Sequence, residues 1–511
     1  MPRLIALFTA AIVLALPAAA QAHGLVGRRD LPVPAWLFAW AATAVLLVSF
    51  VGLGALWREP RLGKARERRL LSVPAWLEIP FGLLGIALLG LTIYAGFAGI
   101  QIDTANWTPT AIFVGLWVGV PFLSLLVGDL YAAINPLRAM GRATGWIAGK
   151  VAGDALPAPL VLPERFGRWP AALGLLAFAW VELAFPGRGD PSQLAVLVVL
   201  FCLVHGVGMS LYGTEPWISR CDPFAVWFGW VATLAPVRWD RGTLYGRAPT
   251  VGTAARRAVP GDAAVVLVAI GTTTWDGLSG GDLLGSLTGD LATEVAKTGL
   301  SATWANAFVL TIGMLLAVGF VTGLVFAGTR GMISPAARRR AAAEASKASA
   351  ERKADRGDEP RDAPGKASGA PTSVKPRSGP PSVRQLVTDF APALVPIGVA
   401  YAVGHYLSLL AFQGQAIPQL LSNPLGRELA PGTGGWLGTA GWTIDYSWLS
   451  SNAIWYLQVA ALLTGHVASL VLSHDRALER FPKSRAARSQ RAMLVVAVIF
   501  TCTGLWLLSA V

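Results

Sequence analysis

In a chain this apolar, ionisable side chains lying within hydrophobic runs are the first candidates for chemistry. Such a group is costly in hydrocarbon and persists where it faces a bundle interior, pairs with another group or serves a site. The runs hold Asp129, Glu182, His205, Asp276, His405 and His466, with His474 just past one of them. Imidazole and carboxylate together suit ligation of zinc or another divalent transition metal and equally suit a proton relay. His205, His405, His466 and Asp276 are therefore the candidate metal ligands, with Zn as a possible cofactor, and Asp276, His405 and His466 the candidate catalytic residues. No HxH or HExxH spacing accompanies them.

Depth sorts these residues at ~1.5 Å of rise per helical residue. His205 and His466 fall roughly 9 to 12 Å from the inner ends of their runs, where Asp129 and Glu215 could join them. His405 lies roughly 10 Å beneath the outer surface, near Asp276 and the loop bearing Asp445. The expectation is an inner cluster (His205, His466, Glu215, Asp129) and an outer one (His405, Asp276, Asp445), or one site if helix tilts close the gap. His474 is expected to be solvated at a helix end. His23 would gain a free α-amine if the chain is cut before it, giving two nitrogen donors that suit Cu.

The elements that must position these residues follow from composition. Of 511 residues 54% are hydrophobic and 14% charged, against about 25% charged in soluble domains. The fold class is all-α, a polytopic transmembrane helix bundle whose partner is the lipid bilayer. Runs near the ~20 residues a crossing needs occupy 36–56, 79–99, 111–131, 170–186, 194–213, 303–327, 390–412, 452–472 and 492–511. Two shorter runs remain. If 223–236 dips in and returns while 262–275 crosses, the bundle has about ten crossings and one re-entrant segment. That scheme puts 36 of the 42 Lys and Arg in inner loops and 5 outside, as the positive-inside rule requires. The net charge of +13 is thereby a membrane-topology signal, and nucleic acid is not an expected partner.

Residues 1–22 read as a signal peptide cut after Ala22, leaving both mature termini outside. The first six crossings fill 23–328 and the last four 390–511. Between them 329–389, basic and without apolar periodicity, reads as a disordered cytoplasmic linker. Cys202, Cys221 and Cys502 form no CxxC pair. Gly115 with Gly119 and Gly319 with Gly323 have the small-xxx-small spacing of close helix contacts. The three Thr before Asp276 put polar groups at membrane depth, which is tolerated where they line a cavity or are buried in protein.

The segments HGLVGRRDLPVPAWLFAWAA from His23, LVPIGVAYAVGHYLSLLAFQGQ from Leu394 and NAIWYLQVAALLTGHVASLVLSHDRALER from Asn452 resemble bacterial, especially actinobacterial, membrane proteins catalogued as fenitrothion hydrolase. The likeness extends from the first run to the last apart from the linker and parts of the loops. It implies a hydrolase of lipophilic organophosphorus triesters in the bacterial plasma membrane and supplies a reaction class without a site; such a hydrolysis would most simply use a metal-bound hydroxide, for which His205, His405, His466 and Asp276 are the candidate ligands. The same residues, taken with a broken segment and a short crossing, also fit a membrane transporter or metal-handling protein. Residue physics alone leans toward transport; the resemblance points to the hydrolase.

Overall fold

The computed structural model describes residues 35–153, 158–240, 242–333, 381–429 and 433–510. The expected cut site after Ala22, His23 and the greater part of the basic linker lie outside them. Every apolar run is helical. The described residues form α1 (Ala35–Leu56), α2 (Glu78–Ala98), α3 (Trp107–Val127), α4 (Pro136–Ala152), α5 (Trp169–Leu183), α6 (Pro191–Tyr212), α7 (Pro223–Val231), α8 (Asp262–Ser279), α9 (Asp282–Ala296), α10 (Ala302–Met332), α11 (Val383–Gln413), α12 (Ser451–Arg480) and α13 (Arg491–Ala510), with short turns between them. A helix pairs its own backbone groups, which hydrocarbon demands. The chain is thus an all-α polytopic membrane protein. Among the described residues seven helices are long and apolar enough to cross a membrane, or eight if the bent pair α8–α9 counts as one span. The expected ten is not reached on that measure, because α5 has only 15 residues and α13 is described in full only to Trp506.

Local sequence fixes several helix starts. Asn135, Asp190 and Asp222 each precede a proline, and each side chain accepts from backbone N–H groups of the first turn. Proline at the first helical position sacrifices no helical bond, and the Asx side chain satisfies an orphan donor.

The loops gather at two ends. At the basic end, β1 (Arg68–Ser72), β2 (Val237–Asp240) and β3 (Thr243–Gly246) form an antiparallel sheet in the order β1–β3–β2. Composition gave no sign of it. Arg238 ties it to Glu67 at 2.7 Å, and those hydrogen bonds raise the guanidinium above its ordinary pKa. The short helix α7 begins at Asp222, which is bonded to Tyr131 and Asn135, and its chain leaves into β2. Asp222 and the chain that leaves α7 into β2 thus both lie at the basic end. After α8 the chain turns by 87° into α9.

The centre is the pair α11 and α12. A Cβ on Gly465 would stand 2.4 Å from Ala400 Cβ and 2.6 Å from Pro396 O, so the backbones touch there. Gln458 Nε2 donates to Gly404 O at 2.7 Å one level further along. The close approach expected at Gly319 and Gly323 is not found, since neither has a neighbour within 4 Å. Gly465→Ala is expected to cost about 1–3 kcal/mol by overpacking, read as a lower unfolding temperature in detergent, whereas Gly319→Ala should be neutral or stabilising.

Candidate functional site

Four side chains from three helices meet at the end of the bundle opposite the sheet. Asp276, near the end of α8, accepts from His405 Nε2 at 2.8 Å through Oδ2, and the same oxygen lies 2.9 Å from Tyr406 Oη. Tyr406 Oη is also 3.3 Å from Glu182 Oε1 on α5. Consecutive residues on α11 point about 100° apart, so His405 and Tyr406 close on Asp276 from two sides, their rings 4.7 Å apart and edge to face. The side chains of His405 and Asp276 are 24% and 23% exposed, and Tyr406 is buried.

The surrounding backbone is irregular. Within α3, Thr110–Gly119 is π-helical, a rare form that is frequent at functional sites. Pro392 and Pro396 interrupt the hydrogen bonding of α11. A cavity of about 20 Å³, room for a water molecule, leads from Tyr406 toward α7 between Trp117, Thr273, Gly398, Ala402 and Trp227. The Thr272, Thr273 and Thr274 hydroxyls return to carbonyls four residues back, at 2.8, 2.9 and 2.7 Å. These polar groups are thus satisfied within their own helix, and Thr273 lines the cavity.

Of the expected outer cluster, His405 and Asp276 are joined and Asp445 is not. Asp445 accepts from Ser447 N and Oγ in its own loop, which lowers its pKa from the ordinary carboxylate value. Its place is taken by Glu182 and Tyr406. Glu182 was legible by depth, since it stands near the same end of its run; Tyr406 carries no charge and gave no such signal.

The expected inner cluster does not assemble. His466 is fully buried and its Nδ1 donates to Leu462 O of its own helix at 2.7 Å; its Nε2 has no partner among the described residues. His205 repeats the pattern, bonded to Phe201 O at 3.0 Å and stacked on the Phe201 ring at 4.1 Å. Glu215 is bound to Arg138 and Arg142, and Asp129 caps the turn at Ala132. Each polar side chain thus found a nearer partner than the one that matching depth suggested. Among the described residues no three His, Cys, Asp or Glu side chains are grouped to hold a metal ion. The metal reading of His205, His405, His466 and Asp276 therefore has one contacting pair, His405 with Asp276.

His474 departs most from expectation. It is buried, with Nδ1 accepting from Gln490 Nε2 at 3.0 Å and Nε2 donating to Trp57 O at 2.9 Å. Beside it the buried Asp475 accepts from Trp57 Nε1 at 3.0 Å and Arg61 N at 2.7 Å. Together they clasp the end of α1 to α12 and the start of α13. His474→Ala should remove the donor to the Trp57 carbonyl and the acceptor for one Gln490 N–H, at a cost of about 1–3 kcal/mol; an unchanged melting temperature would show that the clasp is dispensable.

No family model matches the chain, and no solved structure matches it. Among curated proteins, the human high affinity choline transporter 1 is 30% identical over 181 residues, which are 33% of this chain and 30% of that protein. The chain thus spans under a third of that relative's length. Helices and comparison agree at the level of a multi-pass membrane protein.

Proposed function

We propose that the chain is a membrane transporter of a small organic cation, with Glu182, Tyr406, Asp276 and His405 as its intramembrane site. The observation that carries this is the unbroken line of contacts, 3.3, 2.9 and 2.8 Å, through four polar groups of an otherwise apolar bundle. Carboxylates at this depth suit a cation, and the Trp117 and Tyr406 rings beside the cavity suit one through their π faces. Interrupted helices surround the site: the π-helical part of α3, re-entrant α7, the bend after α8 and the prolines of α11. Many transporters form their substrate sites from such discontinuous helices. The matched relative is itself named as a transporter. On this reading the basic end faces the cytoplasm of a bacterial cell.

Proteoliposomes given labelled choline under an inside-negative potential test the proposal. Uptake above that of empty liposomes is expected; uptake equal to the empty control would count against it. The hydrolase implied by the resemblance would draw on the same pair, since a His oriented by an Asp is the arrangement of a general base. A lipophilic triester would reach it from the bilayer. Paraoxon turnover by the same sample, lost in His405→Gln, would establish that activity instead.

A further inference from the structure

The polar chain has fewer hydrogens than contacts. Tyr406 has one hydroxyl proton, yet its oxygen lies within hydrogen-bonding distance of Asp276 Oδ2 and Glu182 Oε1. Asp276 also accepts from His405 Nε2. If both carboxyls were ionised, one contact would set two oxygens with no hydrogen between them, and two like charges would flank one phenol in a medium of low dielectric. Tyr406 is the sole hydrogen-bond partner of Glu182 among the described residues, so a Glu182 carboxylate would be left almost unsolvated.

We propose that this chain is a proton-binding site, with Glu182 as its protonated member. The order is then Glu182 O–H donating to Tyr406 Oη, Tyr406 O–H donating to Asp276 Oδ2, and His405 Nε2–H donating to the same carboxylate. Every contact has one hydrogen, and Asp276 holds the negative charge between two donors. The groups facing Glu182 are Asp276 from α8, Tyr406 from α11 and, more distantly, Arg188 from the loop after α5. Two residues before Glu182, Trp180 Nε1 donates to Thr311 Oγ1 of α10 at 2.9 Å.

The arrangement also moves a proton. In one concerted shift the Glu182 O–H bond breaks as a new Tyr406 O–H bond forms, while the former phenol proton passes to Asp276 Oδ2. The phenol is restored and the negative charge has moved from Asp276 to Glu182. On the transport reading this makes the proton the coupling ion; the protonation itself does not depend on that reading.

Infrared difference spectroscopy on detergent-purified protein at neutral pH tests the assignment. Subtracting the Glu182→Gln spectrum from that of the full-length wild type should reveal a lost protonated-carboxyl C=O band, and dicyclohexylcarbodiimide should label Glu182, as located by peptide mass spectrometry. Glu182→Gln supplies an amide donor in place of the carboxyl O–H and should fold normally. Loss of carboxylate bands instead, or an unlabelled Glu182, would overturn the proposal. If choline uptake fails while the carboxyl band and the label are found, the proton site stands and the transport reading falls.

Discussion

Asp276→Asn is expected to lower transport by at least about tenfold, equivalent to ~1.4 kcal/mol or more. The substitution keeps size and shape, so its effect is one of charge and hydrogen count. Asp276 Oδ2 receives His405 at 2.8 Å and Tyr406 at 2.9 Å; a neutral amide oxygen can accept from both but lacks the charge that holds a cation and strengthens those bonds. If its NH₂ turns toward either neighbour, donor faces donor. Uptake should be normalised to protein that elutes as a single species in gel filtration. Wild-type uptake in this variant would remove Asp276 from the site.

The largest loss of stability is expected at the other end of the bundle. Asp262, fully buried at the start of α8, accepts from Arg168 Nη1 at 2.6 Å and Trp230 Nε1 at 2.8 Å through one oxygen, and from Val259 N at 2.7 Å through the other. It joins the starts of α5 and α8 to the short helix α7. Asp262→Ala strands a guanidinium whose side chain is only 16% exposed and leaves two further donors unpaired. Breaking a buried pair from one side costs about 3–5 kcal/mol. The exposed pair Lys297–Glu294, 66% and 67% accessible, should contribute close to nothing, so Glu294→Gln is the internal control. Thermal unfolding in one detergent compares the two. A small shift for Asp262→Ala would mean that water reaches Arg168 and replaces the carboxylate.

The helices were legible because hydrocarbon imposes one rule on every residue of a span, and the apolar runs coincide with helices even at 223–236, where length alone was ambiguous. Run ends were less exact: α11 begins at Val383 and α12 continues to Arg480, because basic and acidic residues at the bundle end still fold as helix when packed against neighbouring loops. The sheet β1–β3–β2 was missed, since its strands are only four or five residues long and β1 comes from a loop far away in sequence from the β2–β3 hairpin.

The candidate site was half legible. His405 and Asp276 met because each had a single plausible depth. His205 and His466 did not, because an imidazole on a helix can bond the carbonyl four residues back, a local option that depth arithmetic ignores. His474 was misjudged for a related reason: a place at a helix end implies solvation only if nothing packs there, and the loop after α1 does. Asp222 lies just outside the run 223–236 and Asp262 is the first residue of 262–275, so a search for residues deep within the runs passed over two fully buried carboxylates.

Tyr406→Phe tests the central claim most directly, because it deletes the one oxygen that joins Glu182 to Asp276 while preserving the buried ring. Uptake of labelled choline into proteoliposomes should fall by about tenfold or more, with the variant inserted and monodisperse like the wild type. Uptake equal to that of the wild type would contradict the account, for it would show that the contacts linking α5, α8 and α11 take no part in the protein's activity.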